Sequence, residues 1–169
     1  MLKKNIVLIG MMAAGKTTIG FKLAKKIKYN FVDIDSKIEQ SENQKIVDIF
    51  QNKGEIYFRK LEEKITLKIL NNTKSVIALG GGAFINNEIR EKVLSSCVSV
   101  WLKVDLDKLV KRYNKNDRRP LLNKKKLNID VKKIYQSRKK IYGLANFKIN
   151  CDNIDKTKIV KKILDFYEN

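Results

Sequence analysis

The sequence predicts an α/β domain in three layers, a parallel sheet covered by helices on both faces. Three observations carry that expectation. Short apolar segments alternate with amphipathic stretches along the chain, a glycine-rich loop joins the first apolar segment to a helical pattern, and no linker, repeat or low-complexity tract divides the 169 residues. Strands alternating with helices are joined by crossovers, which make the strands parallel and lay the helices on the sheet.

The elements follow in order. Asn5 to Ile9 is the first apolar strand, and Thr17 to Lys28 after it sets Ile19, Leu23 and Ile27 on one helical face. Asn30 to Asp33 is a short second strand. Glu55 to Leu70 places Phe58, Leu61, Ile65 and Ile69 at helical spacing, and Ser75 to Leu79 and Val98 to Lys103 are the clearest later strands. Val131 to Tyr142 and Lys156 to Tyr167 are amphipathic, with the strand Phe147 to Asn150 between them. The single proline, Pro120, stands in the one stretch that reads as a long mobile loop. Ligands of such sheets bind beyond the carboxyl ends of the strands. The loops after Ile9, Val32 and Leu79 should therefore carry the chemistry.

Composition narrows the function classes. A domain of about 150 residues buries roughly 70% of its unfolded surface, so this chain can form a core without disulfides or a structural metal. Its 43% hydrophobic and 33% charged content is that of a soluble globular protein. No apolar run approaches the roughly 20 residues that span a bilayer. The N-terminal run Met1 to Ile9 is short and enters the glycine loop with no cleavage site, so it reads as a strand rather than a leader. The expectation is a cytoplasmic protein with no membrane partner. Cys97 and Cys151 have no metal or redox spacing, and core packing is their expected role. Histidine is absent, which removes a Ser-His-Asp triad, a histidine base and histidine metal ligands. The net charge of +19 is spread along the whole chain with no interleaved aromatic motif. It reads as a lysine-rich solvated surface that draws anionic substrates, not as a nucleic-acid footprint.

Gly10-Met11-Met12-Ala13-Ala14-Gly15-Lys16-Thr17 matches G-x-x-x-x-G-K-[ST], the phosphate-binding P-loop. Small residues let the backbone curl so that its N–H groups converge on phosphate oxygens, and the next helix presents its positive end there. Lys16 is placed to reach the β- and γ-phosphates and the Thr17 hydroxyl to ligate Mg²⁺. The motif identifies nucleotide phosphates but not a reaction.

Further constellations fall at the same sheet edge. Asp33-Ile34-Asp35 ends the second strand, where one carboxylate can support a metal and the other a substrate. Taken alone, capping of the helix from Ser36 onward is the plainer reading of the pair. No aspartate ends the third strand, which leaves Asp33 as the candidate for supporting Mg²⁺. Arg59, one turn into the helix opened by Gly54-Glu55, is either a carboxylate clamp or a surface charge. Gly80-Gly81-Gly82-Ala83 follows the third strand, and three glycines there permit close backbone approach to a ligand.

The P-loop, Asp-x-Asp, the Gly-Glu-x-x-Phe-Arg helix start, Gly-Gly-Gly-Ala and a later Arg119-Pro120-Leu121-Leu122 occur in the order that resembles shikimate kinases, across nearly the whole chain. The resemblance implies a nucleoside-monophosphate-kinase-like P-loop kinase fold over residues 1–169, with a five-stranded parallel sheet in the order 2-3-1-4-5 and a mobile lid near 114–128. It implies transfer of the ATP γ-phosphate to the 3-hydroxyl of shikimate, within aromatic amino acid biosynthesis. Asp35 would orient the hydroxyl and accept its proton, Arg59 and Arg138 would hold the carboxylate, and Gly80, Gly81 and Gly82 would line the acceptor. Phe50 and Phe58 would wall the pocket. Gly10, Ala13, Ala14, Gly15, Lys16, Thr17 and Thr18 would hold the triphosphate, Arg112 would pack on the adenine, and Arg119 would close on the phosphates. Thr17 and Asp33 would hold Mg²⁺, and a monomer with ATP and shikimate as partners is implied. The chain departs from the family pattern at Ala13 and Ala14, at Lys60, and around Arg138, where Pro-Leu before the tyrosine is missing. Two alternatives stand beside this reading: another small-metabolite kinase of the same fold, for gluconate or a nucleoside monophosphate, and a nucleic-acid-binding module.

Overall fold

The structure, a computed structural model, describes residues 4–115 and 124–168. Among the described residues five strands form one parallel sheet: β1 (Ile6–Ile9), β2 (Asn30–Asp33), β3 (Ser75–Ala78), β4 (Val98–Lys103) and β5 (Phe147–Asn150). Their order is β2-β3-β1-β4-β5, and every pairing is parallel. The sequence reading placed these strands to within a residue at either end.

Burial follows from that order. All residues of β1 and β3 are buried, because they have a strand on either side and helices on both faces. Ile6, Val7, Leu8 and Ile9 are each at most 1% exposed. Burying such a side chain is worth about 1.5–3 kcal/mol. The edge strands β2 and β5 are more exposed. At the amino-terminal rim the Asn5 side chain fixes register: its amide donates to the Asn72 carbonyl at 2.6 Å and its carbonyl accepts from Ser75 N–H at 3.0 Å.

Helices α1 (Lys16–Ile27), α2 (Ile34–Glu42), α3 (Ile46–Leu70), α4 (Asn87–Ser96), α5 (Leu106–Lys115), α6 (Lys124–Tyr142) and α7 (Lys156–Glu168) complete the described elements, with a 3₁₀ turn at Ala83–Ile85. The reading of the long helix is corrected here. It begins at Ile46, not Glu55, and is interrupted at Gly54, where φ is 80° and ψ is 169°. That conformation is open to glycine and strained for other residues. Its second half carries Phe58, Glu62, Thr66 and Leu70 inward, so that Arg59 and Glu62 both reach the carboxyl edge of the sheet. Helices α2, α4 and α5 were not singled out by periodicity. Two of them declare themselves by their caps: Asp33 accepts from Ser36 N–H, and Asn86 from Ile89 N–H. No described helix is long and apolar enough to cross a membrane.

Candidate active site

The loop between β1 and α1 is built by backbone geometry that few residues tolerate. Gly10 and Gly15 have φ of 148° and 96°, and Ala13 takes a left-handed φ of 61°. A methyl group at Gly10 would sit 2.8 Å from the Leu102 carbonyl oxygen of β4. Glycine there lets the loop leave the sheet tightly enough for α1 to begin beside it. Lys16 is half-buried and folds back over the loop, its Nζ donating to the carbonyls of Gly10 at 2.8 Å and Met11 at 2.9 Å. Burial lowers its pKa to about 8, although Asp35 and Asp33 pull in the other direction. The ammonium is thus short of counter-charge, which a polyphosphate supplies.

Asp33 does both things the sequence left open. Its Oδ1 accepts from Ser36 N–H at 3.2 Å as the cap of α2, and its Oδ2 accepts from the Thr17 hydroxyl at 2.6 Å. Hydroxyl and carboxylate are hard oxygen donors, the kind Mg²⁺ takes, and the ion keeps the rest of its shell for phosphate and water. Among the described residues no three acidic, histidine or cysteine side chains gather into a metal cluster. The protein's share of such a shell is therefore these two groups, with the nucleotide completing it.

Asp35 lies in the first turn of α2 and faces the end of β3. Its carboxyl is held above the usual range, chiefly by burial, with Lys16 opposing. Glu62, 2% exposed, faces the same point from α3. A methyl group on Gly80 would sit 2.6 Å from Glu62 Oε1 and 2.7 Å from Asp35 Oδ1. Burial likewise raises the Glu62 pKa, while its ion pair with Arg59 pulls it down. Arg59 Nη1 donates to Glu62 Oε2 at 2.7 Å and its Nε to Glu55 Oε1 at 3.3 Å. The guanidinium lies 5.1 Å from the Phe58 ring centroid, and Phe58 packs on Phe50 at 4.6 Å. The same Arg59 comes within 2.6 Å of where a side chain on Gly82 would begin.

On the other side of the glycine turn, Arg138 Nη1 donates to the Gly81 carbonyl at 2.9 Å. Arg112 Nη1 donates to the Ala13 carbonyl at 3.3 Å, which sets it on the outer face of the phosphate loop. Thr18 is exposed at the start of α1. Lys16, Thr17, Asp33, Asp35, Arg59, Gly80 to Gly82 and Arg138 thus come together at one sheet edge. Arg119 and most of the expected lid, 114–128, lie outside the described residues. A cleft of about 400 Å³ lined by Trp101, Lys103, Lys139, Lys140 and Lys148 is separate and holds none of these groups.

The comparisons with known proteins agree with this edge. The family model described as shikimate kinase matches residues 12–168. The chain belongs to the shikimate kinase family. Shikimate kinases of Persephonella marina and a Sulfurihydrogenibium species are 38% and 42% identical over 161 residues, covering 95% of this chain and 97% and 96% of those proteins. The Acinetobacter baumannii shikimate kinase, solved in complex with shikimate, superposes with a TM-score of 0.90 at 29% identity, covering 96% of this chain and 92% of that one. The Aquifex aeolicus shikimate kinase superposes at 0.86 with 32% identity, covering 97% and 96%. As a shikimate kinase family member the chain is a phosphotransferase, with the fold that the resemblance implied. Sequence reasoning passed over two groups. Glu62 stands three residues after Arg59, a spacing that in sequence looks like an ordinary surface ion pair. Tyr142 looked like helix packing.

Proposed function

We propose that this chain transfers the γ-phosphoryl group of ATP to the 3-hydroxyl of shikimate, with the residues above dividing the task. Phosphoryl transfer asks a protein mainly for alignment and charge neutralisation. The loop amides and Lys16 hold the triphosphate, and Arg112 borders the nucleotide. Asp35 accepts a hydrogen bond from the hydroxyl and takes its proton as the new P–O bond forms. It can stay the base late in a loose transition state because no earlier deprotonation is needed. Arg59, braced by Glu62, and Arg138 hold the carboxylate, and Gly81 and Gly82 approach the ring through backbone groups. Mg²⁺, held by Thr17 and Asp33 together with phosphate oxygens, would neutralise phosphate charge when bound. Arg119 is assigned to the phosphates by its Arg-Pro-Leu-Leu setting alone. A cytoplasmic monomer is the state this reading expects.

The observation that carries the proposal is the placing of Asp35 and Arg59 beside Lys16 and Thr17 around one glycine turn. A kinase for an uncharged acceptor has no use for two arginines across from the base. The test is ADP release with ATP and Mg²⁺ against shikimate, gluconate and nucleoside monophosphates. Shikimate should exceed the others by at least about a hundredfold in kcat/KM, as a site built to pair a buried charge discriminates. Comparable turnover of gluconate or a nucleotide would overturn the acceptor assignment.

A further inference from the structure

The Gly81 carbonyl is gripped twice from one helix. Arg138 Nη1 donates to it, and so does the hydroxyl of Tyr142, one turn further along α6. Tyr142 is wholly buried, although it carries a polar hydroxyl. Its ring packs on Trp101, with centroids 5.9 Å apart, and its oxygen lies 3.8 Å from Met11 Sδ in the phosphate loop. Burial lifts the phenol above its usual range, with Arg138 opposing, so the hydroxyl remains a protonated donor through the working pH range.

A peptide unit is planar, and no cis bond occurs among the described residues. The Gly82 N–H therefore points opposite to the Gly81 carbonyl. Tying that carbonyl to α6 turns the N–H away from α6. Among the described residues neither the Gly81 nor the Gly82 N–H donates to a protein acceptor. Both flanking residues are glycines, so nothing intrinsic to the turn stops this peptide from rotating. Its orientation has to be imposed from outside, and α6 imposes it.

We propose that Tyr142 is a positioning residue for the acceptor: its hydroxyl fixes the Gly81 carbonyl, and through it both the Gly81–Gly82 peptide and the Arg138 guanidinium. The inference rests on the reading in which Arg138 holds the acceptor carboxylate. An arginine carries five N–H donors. With Nη1 committed to a fixed carbonyl, the remaining donors keep one direction. If the carbonyl swings, the arginine and the backbone N–H lose their aim together.

Four variants test this in steady-state kinetics with thermal melting alongside. Tyr142→Phe removes one oxygen and should raise the shikimate KM about tenfold, the effect of one buried hydrogen bond. It should leave the ATP KM within about twofold, because the loop contacts are untouched. Arg138→Ala should raise the shikimate KM at least as much. In the double variant the two effects should not add, because both act through one carbonyl oxygen. Trp101→Phe loosens the packing around the ring, keeps the hydroxyl, and should lower the melting temperature with an unchanged shikimate KM. A normal shikimate KM in Tyr142→Phe overturns the positioning role. So does a Trp101→Phe variant that matches it in shikimate KM, since packing alone would then explain the effect. A normal shikimate KM in Arg138→Ala removes Arg138 from the acceptor, whatever Tyr142→Phe does.

Discussion

The carboxylates of Asp35 and Glu62 converge on one point, which is where the side chain of any residue other than glycine at position 80 would begin. One oxygen of each lies within 2.7 Å of it. The two come from different helices, α2 and α3, so the glycine is what allows them to approach. Gly80→Ala should displace one or both and lower kcat/KM for shikimate by at least about a hundredfold, the loss expected when a base is moved by about an ångström. The melting temperature should fall only slightly, because the turn is not in a left-handed conformation. Wild-type kinetics in that variant would mean that neither carboxylate is in the reaction path.

Asp35→Asn separates chemistry from stability. The carboxyl is held above its ordinary range by burial, so folding must desolvate a charge near neutral pH. Such a group costs stability above its folded pKa, and the cost disappears as pH falls through it. The amide should therefore melt at a higher temperature at pH 7.5 while turnover falls by orders of magnitude and ATP still binds. In the wild type, turnover should decline on the acid side with a midpoint above the usual carboxylate range, because a protonated Asp35 accepts nothing. A midpoint at or below about 4, the ordinary aspartate value, would remove the base from that limb.

Lys16 sets the alkaline side. With its pKa near 8, it is largely neutral above that pH until phosphate oxygens restore its proton. ATP binding should therefore take up a proton above pH 8, and its affinity should fall towards about tenfold per pH unit, while staying flat between pH 6 and 7.5. Titration calorimetry in buffers of different ionisation heat reads both quantities. The same shift means that, through this residue, stability rises with pH between about 8 and its unfolded value near 10.5. A pH-independent affinity would show that the ammonium does not meet the nucleotide.

Ala13 offers a gain. It holds φ at 61°, a region that costs a residue bearing a Cβ roughly 1–2 kcal/mol. Ala13→Gly should recover about 1 kcal/mol, less the entropy that glycine adds to the unfolded chain. The result should be a small rise in melting temperature with nucleotide binding kept. A fall of several degrees would mean that the methyl group has packing value that outweighs its strain.

Much of this was legible in the sequence where the determinant was local. β1 and β3 were readable because a strand buried on both sides must be apolar throughout, and the phosphate loop because backbone curvature demands glycine at fixed offsets. The resemblance supplied the strand order and most of the acceptor residues. What stayed hidden depended on three-dimensional neighbours. Nothing in Arg59-Lys60-Leu61-Glu62 says that the glutamate is 2% exposed. Gly54 looked like a helix start because it precedes a clean periodic run, whereas it interrupts a helix already begun at Ile46. Asp33 illustrates the limit well: cap and site residue were weighed as rivals, and its two oxygens serve one role each.

Asn5 and the reacting groups sit at opposite rims of the same sheet, separated by the four residues of β1, about 13 Å at a strand's rise per residue. At that distance, substitutions at one rim and the other should combine additively. A thermally hardened variant can then be sought around Asn5, Asn72 and Ser75 without retuning turnover, and acceptor preference can be redrawn at the far rim without loosening the frame that carries it.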